Sequence, residues 1–185
     1  MVFSSNVFLF LFLPLFLATY YASPQRWRNA VIVIASYLFY AWWRADFLLL
    51  FVAVTIVNYE IGRRIGAAGA RTTGARRWLG AGVGFDLAVL GYFKYANFGV
   101  DSLNALLGIA GEAPLQFTHV ILPIGISFYI FQAISYLADV YRRDTPPSAD
   151  PVAFAAFIAL FPQLIAGPVL RYKDVADQIA QRTHS

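Results

Sequence analysis

Long apolar runs separated by short polar gaps dominate the chain. Residues 2–21 form the first, and 28–43, 45–61, 78–98, 117–138 and 152–170 repeat the pattern. A helix needs about 20 residues to cross the hydrocarbon core of a bilayer, with a range of roughly 17–25. The pattern predicts an all-α, multi-pass membrane protein of about five spans plus a sixth segment of another kind. Residues 1–6 carry no Lys or Arg and no small-residue cleavage site follows the first run, so it reads as a retained span. The gap after the second run holds Trp42, Trp43, Arg44 and Asp46, side chains suited to the headgroup level.

The sixth run ends in Phe161-Pro162-Gln163-Leu164-Ile165-Ala166-Gly167-Pro168. A proline removes a backbone donor and clashes with the preceding turn, so a plain anchor has no use for this ending. Irregular backbone at membrane depth survives only where protein or a water-filled cavity covers it. The segment reads as a broken or re-entrant helix.

Composition agrees with the pattern. The chain is 59% hydrophobic and 13% charged, against about 45–50% and 25% in a soluble domain. Aromatics reach 17%. The absence of cysteine excludes disulfides, thiolate nucleophiles and Cys-ligated zinc. No metal-ligand spacing is present. The net charge of +4 does not point to nucleic acid, because the arginines sit in the gaps between apolar runs. Arg26 and Arg28 occupy residues 25–29, five arginines occupy residues 62–77, and Arg142 and Arg143 occupy residues 139–151. Residues 97–116 hold no Lys or Arg, only Asp101 and Glu112. The positive-inside rule places the three arginine-bearing gaps in the cytoplasm and the N-terminus outside. Arg171 and Lys173 fit that scheme if the sixth segment re-enters.

Polar residues within the runs are the candidate site. Tyr129, Gln132, Tyr136 and Asp139 recur at helical spacing and form one stripe, which must face protein or water. The stripe is either interhelical glue or the lining of a tunnel. Gln163 and Arg171 join it as candidate lining. Asp86, in the middle of the fourth run, needs a partner or water. Lys94, two turns on, is one candidate partner, although it could also snorkel to the interface beside Tyr92 and Tyr95. His119 is a weak candidate for a general base, and His184 lies in a polar tail. A transporter subunit, which also uses broken helices and buried charge, and a non-catalytic membrane scaffold are the competing classes.

Six motifs in order carry a family resemblance: residues 1–5, Leu38-Phe39-Tyr40-Ala41-Trp42-Trp43, Asn58-Tyr59 with Ile61-Gly62, Gly91-Tyr92-Phe93-Lys94-Tyr95-Ala96-Asn97-Phe98, Leu122-Pro123-Ile124-Gly125 onward to Arg142, and Phe161 to Tyr172. The chain resembles the membrane-bound O-acyltransferase (MBOAT) family and is most similar to its bacterial alginate O-acetyltransferase branch. The resemblance implies a helix ring around a membrane funnel, of which residues 1–185 would be the N-terminal portion of a single transmembrane domain. It implies transfer of an acetyl or other acyl group, from acetyl-CoA or another donor used as substrate, to hydroxyls of an exported polysaccharide. It further implies the bacterial cytoplasmic (inner) membrane, extracytoplasmic acetyltransferase partner proteins, and no bound cofactor. The family's essential histidine belongs to a second half that no segment here matches. The chain is less than half the length of a typical member, so by itself it is expected to be inactive.

Overall fold

The computed structural model describes residues 6–69, 71–167, 171, 172 and 174. Among these residues the chain is all-helical. A π-helical stretch, Phe8–Phe12, leads into α1 (Leu13–Ala22), followed by α2 (Gln25–Trp43), α3 (Ala45–Ala68), α4 (Thr73–Ala110), α5 (Ile126–Arg142), α6 (Pro151–Ala159) and α7 (Phe161–Ala166). Local chemistry sets several boundaries. The Thr72 hydroxyl accepts from the Ala75 N–H at 3.1 Å and caps α4. The Asp150 carboxylate accepts from the Val152 N–H at 2.8 Å, and Pro151 occupies the first turn of α6, where its missing N–H is harmless.

The core is the mutual packing of α3, α4 and α5, with α2 against α6. α5 is covered on nearly every side: Ile126, Tyr129, Ile130, Gln132, Ala133, Tyr136, Leu137, Asp139 and Val140 are all buried. Ile126, Ile130 and Leu137 are buried along with the polar stripe, so α5 is the central helix. Close approach needs small residues. Gly62 of α3 lies under the Tyr136 ring, where a Cβ would come within 2.5 Å.

Only α3 is, among the described residues, both long and apolar enough to cross a membrane, at 24 residues. The fourth run extends further than expected, since α4 continues through the expected gap at residues 97–116 and reaches Ala110. Its 38 residues give a length of about 57 Å. The fifth run is corrected at its start, because helix begins at Ile126 and not at residue 117. Pro123 and the left-handed Gly125 (φ 74°) precede that start. Residues 112–125 instead lie as a strap against the end of α4. Asn97 clasps Val120, donating to its carbonyl and accepting from its N–H, both at 2.8 Å. Asn104 clasps Leu115 in the same way, at 3.2 and 2.7 Å.

The break in the sixth run falls at Leu160, between α6 and α7. Pro162 has no N–H to continue the α6 ladder. Phe161 is held in an aromatic cage, with ring centroids 5.2 Å from Phe16, 5.4 Å from Phe12 and 5.5 Å from Phe39. α7 stops at Gly167, which is left-handed (φ 80°) and lies where a Cβ would meet the Phe128 ring at 3.0 Å. Glycine is required there on both counts. The rest of the expected segment, residues 168–170, lies outside the described residues, as do Lys173 and His184.

Candidate functional site: a buried polar file along α5

The stripe expected on the fifth run is buried whole: Tyr129 and Tyr136 are 0% exposed, Gln132 1% and Asp139 3%. With successive members three or four residues apart on a helix of 17 residues, the file runs for most of the roughly 25 Å length of α5.

At its start, Asn58 of α3 donates to Asp86 of α4 at 2.8 Å, and both are fully buried. The same Asn58 amide donates to the Val54 carbonyl at 3.0 Å. This pairing corrects the candidate partner of Asp86. Lys94 is exposed with its ammonium 5.6 Å from the Tyr95 ring, as a side chain snorkelling to an interface would be. The Tyr129 hydroxyl lies within electrostatic reach of Asp86 and beside that of Tyr40. Tyr40 donates to the Ile124 carbonyl at 3.1 Å, tying α2 to the turn before α5.

Register places Gln132 near this pair. Tyr136 packs on Gly62 and Leu137 on Gly82, so one turn back along α5 corresponds to Asn58 on α3 and Asp86 on α4. Neither polar atom of the Gln132 amide finds a protein partner among the described residues. A buried amide left in that condition costs about 1–3 kcal/mol, so the position is poor as simple structural glue.

Towards the other end, the Tyr136 hydroxyl accepts from the Ser148 N–H at 3.1 Å, and the Tyr59 hydroxyl donates to the Ala149 carbonyl at 3.2 Å. These bonds hold the connector between α5 and α6 against the bundle. Pro147 closes on Gly66, where a Cβ would meet its ring at 2.6 Å. Tyr172 packs edge-on against Tyr136 (4.9 Å) and Phe157 (5.1 Å), and burial pushes its phenol above the ordinary range. Beyond Asp139 the surface opens into a pocket of about 360 Å³, lined by Ile65, Gly66, Val140, Arg143, Thr145 and Pro147 among others. This pocket touches two of the arginine-bearing gaps, through Gly69 and Arg143. The file thus begins beside the Asn58–Asp86 pair and ends near a pocket whose lining includes Arg143.

The remaining candidates are scattered. Gln163 is buried in α7, and its carbonyl accepts from the Gly167 N–H at 3.2 Å. Arg171 is exposed. His119 is exposed on the strap, next to the clasped Val120, and belongs to no helix. No group of three or more His, Cys, Asp or Glu side chains able to hold a metal occurs among the described residues. Asn58 was absent from the candidate site residues, although it belongs to one of the quoted motifs and is a polar amide inside an apolar run.

The class defined by these features is an all-α bundle of apolar helices with one polar-striped helix sealed at its centre. Comparison with known proteins makes this specific. Over all 185 residues the chain is 66% identical to the probable alginate O-acetylase AlgI of Pseudomonas putida, 66% to that of Azotobacter vinelandii and 65% to that of Pseudomonas aeruginosa. It spans 36–38% of the length of these relatives. All of it also aligns, at 28% identity, with 40% of the peptidoglycan O-acetyltransferase of Helicobacter pylori. The chain is a homologue of the bacterial alginate O-acetylases, as its motifs indicated. No protein-family model matches the chain, and no solved structure matches it.

Proposed function

We propose that this chain is part of a multi-pass O-acetyltransferase of the bacterial inner membrane. It moves an acetyl group from acetyl-CoA or another acyl donor in the cytoplasm to hydroxyls of an exported polysaccharide such as alginate. Extracytoplasmic acetyltransferase proteins act alongside it. One observation carries this reading: identity of 64–66% along the entire chain to four proteins named probable alginate O-acetylase.

The chemistry explains why a buried polar file would be useful. Attack of a sugar hydroxyl on a thioester needs a base for the hydroxyl proton and donors for the developing oxyanion. Donor and acceptor start on opposite sides of the bilayer, so the reaction needs a polar route through an apolar wall. Tyr129, Gln132, Tyr136 and Asp139 line that route, with Gln163 and Arg171 as further supporting residues. None of them is the base. In this reading the 185 residues alone do not transfer acetyl groups, since the curated relatives are more than twice as long.

The test compares membranes containing residues 1–185 with membranes containing a relative of full length, each supplied with labelled acetyl-CoA and alginate. Acetylated alginate is expected only from the second. Robust transfer by the 185 residues, abolished by His119→Ala, would overturn the assignment and make His119 the base. General-base catalysis contributes roughly 10²–10⁴-fold, so the contrast is readily measured.

A further inference from the structure

A second cavity lies far from the polar file, in the groove between α1 and α2. It encloses about 400 Å³, and its walls include Leu11, Leu15, Ile34 and Leu38, with Thr19 at one end and Trp42 at the other. Leu11, Leu15, Ile34, Leu38 and Trp42 are all 59–66% exposed. Thr19 donates its hydroxyl proton to the Leu15 carbonyl at 2.8 Å, so it asks nothing of an occupant. The groove therefore favours a purely apolar guest.

Length and charge narrow the choice of guest. From residue 7 to residue 19 the helical rise gives roughly 18 Å, a little over half of the ~30 Å hydrocarbon core. That is on the scale of one extended acyl chain and short of a further crossing helix, which would need the whole thickness. The Thr19 end leads to the turn between α1 and α2, which carries Arg26 and Arg28. Trp27 beside them is 56% exposed. Arg28 is oriented by the turn, donating to the Ser23 carbonyl at 3.3 Å and lying 5.3 Å from the Tyr20 ring. No carboxylate side chain occurs anywhere from residue 1 to residue 45. One end of an apolar groove is thus basic, next to an indole suited to the headgroup level.

We propose that the α1–α2 groove binds one acyl chain of an anionic phospholipid, with its phosphate at Arg26. The inference rests on the membrane reading above. The guest is a resident lipid and has no part in acyl transfer. It fills a groove that the side chains of the described residues leave open, and it fixes α1 against α2.

The experiment uses the 185-residue chain, with Trp27, Trp43 and Trp78 replaced by Phe so that Trp42 is the sole emitter. The protein is reconstituted in phosphatidylcholine vesicles containing either brominated phosphatidylglycerol or brominated phosphatidylcholine at the same mole fraction. Flotation with the vesicles checks the membrane reading separately, because a chain that does not float fails that reading before the lipid site is tested. Quenching of Trp42 should favour brominated phosphatidylglycerol over its bulk mole fraction. The preference should fall by roughly fivefold in Arg26→Gln, the effect of one basic charge near a membrane surface. Ile34→Trp fills the groove; read by lipid retention in native mass spectrometry alone, it should remove the retained phosphatidylglycerol. Equal quenching by the two brominated lipids in a chain that floats would overturn the proposal, as would an unaltered preference in Arg26→Gln.

Discussion

Replacing Asn58 by leucine tests whether the Asn58–Asp86 pair holds α3 to α4. The pair is 2.8 Å long, and both residues are 0% exposed. Leucine keeps the branching and the number of side-chain heavy atoms while removing the donor, so little packing is lost. A hydrogen bond to a charged partner contributes about 1.5–3 kcal/mol in soluble proteins, whereas double-mutant cycles between membrane helices average about 0.6 and reach about 1.7. The single variant should fall in the upper range, since it leaves Asp86 buried without its donor. The coupling energy should fall in the lower range. Asn58→Leu also gives up the bond to Val54, but that carbonyl belongs to the α3 ladder, and the loss cancels in a cycle. A loss of about 2 kcal/mol lowers the melting temperature of a chain of this size by roughly 4–8 °C. Thermal unfolding in detergent of Asn58→Leu, Asp86→Leu and the double variant gives the cycle. Asp86→Asn, which keeps an amide-to-oxygen hydrogen bond, should unfold close to the parent. If the two leucine substitutions add to within about 0.3 kcal/mol, the pair does not couple the helices and the reasoning fails.

Three further outcomes follow from the same geometry. Gly62→Ala places a methyl group 2.5 Å from Tyr136 and should destabilise by about 1–3 kcal/mol in the same melting assay, with relief when Tyr136→Ala is added. Asn97→Ala with Asn104→Ala should release the strap, raising amide hydrogen exchange across residues 112–125 while leaving α5 protected; unchanged exchange would mean that the clasps do not hold it. The native chain lacks cysteine, so single cysteines at Ala70 and Glu112 report topology cleanly. An impermeant thiol reagent on intact cells should label the second and spare the first.

The sequence made the α5 stripe readable because a 3.6-residue period survives whatever the helix packs against. The break at Leu160 was readable too, since Pro162 acts on the backbone locally. The start of α5 was misplaced because residues 117–124 are apolar enough to pass for membrane helix, and apolarity does not report where backbone hydrogen bonds go. Asn97 takes up one of those backbone positions, Val120, from another element, a tertiary fact. The partner of Asp86 was hidden for the same reason. Lys94 is near in sequence, but the register of α3 against α4 brings Asn58 to it. Pockets formed between elements, such as the one rimmed by Gly66 and Arg143, leave no periodic trace at all.

The central position of α5 also bears on biogenesis. A segment carrying Gln132 and Asp139 gains little by leaving the insertion machinery for lipid, where those groups would be unsolvated. Its natural receptor is the groove between α3 and α4, which the ribosome delivers first. On the membrane reading proposed above, synthesis order would supply a chaperone in cis: the α3–α4 hairpin is laid down as a half-built wall, and α5 would enter the membrane by docking into it. Damage to that hairpin, even far from any chemistry, would leave α5 stranded at the exit and expose the nascent protein to membrane proteases.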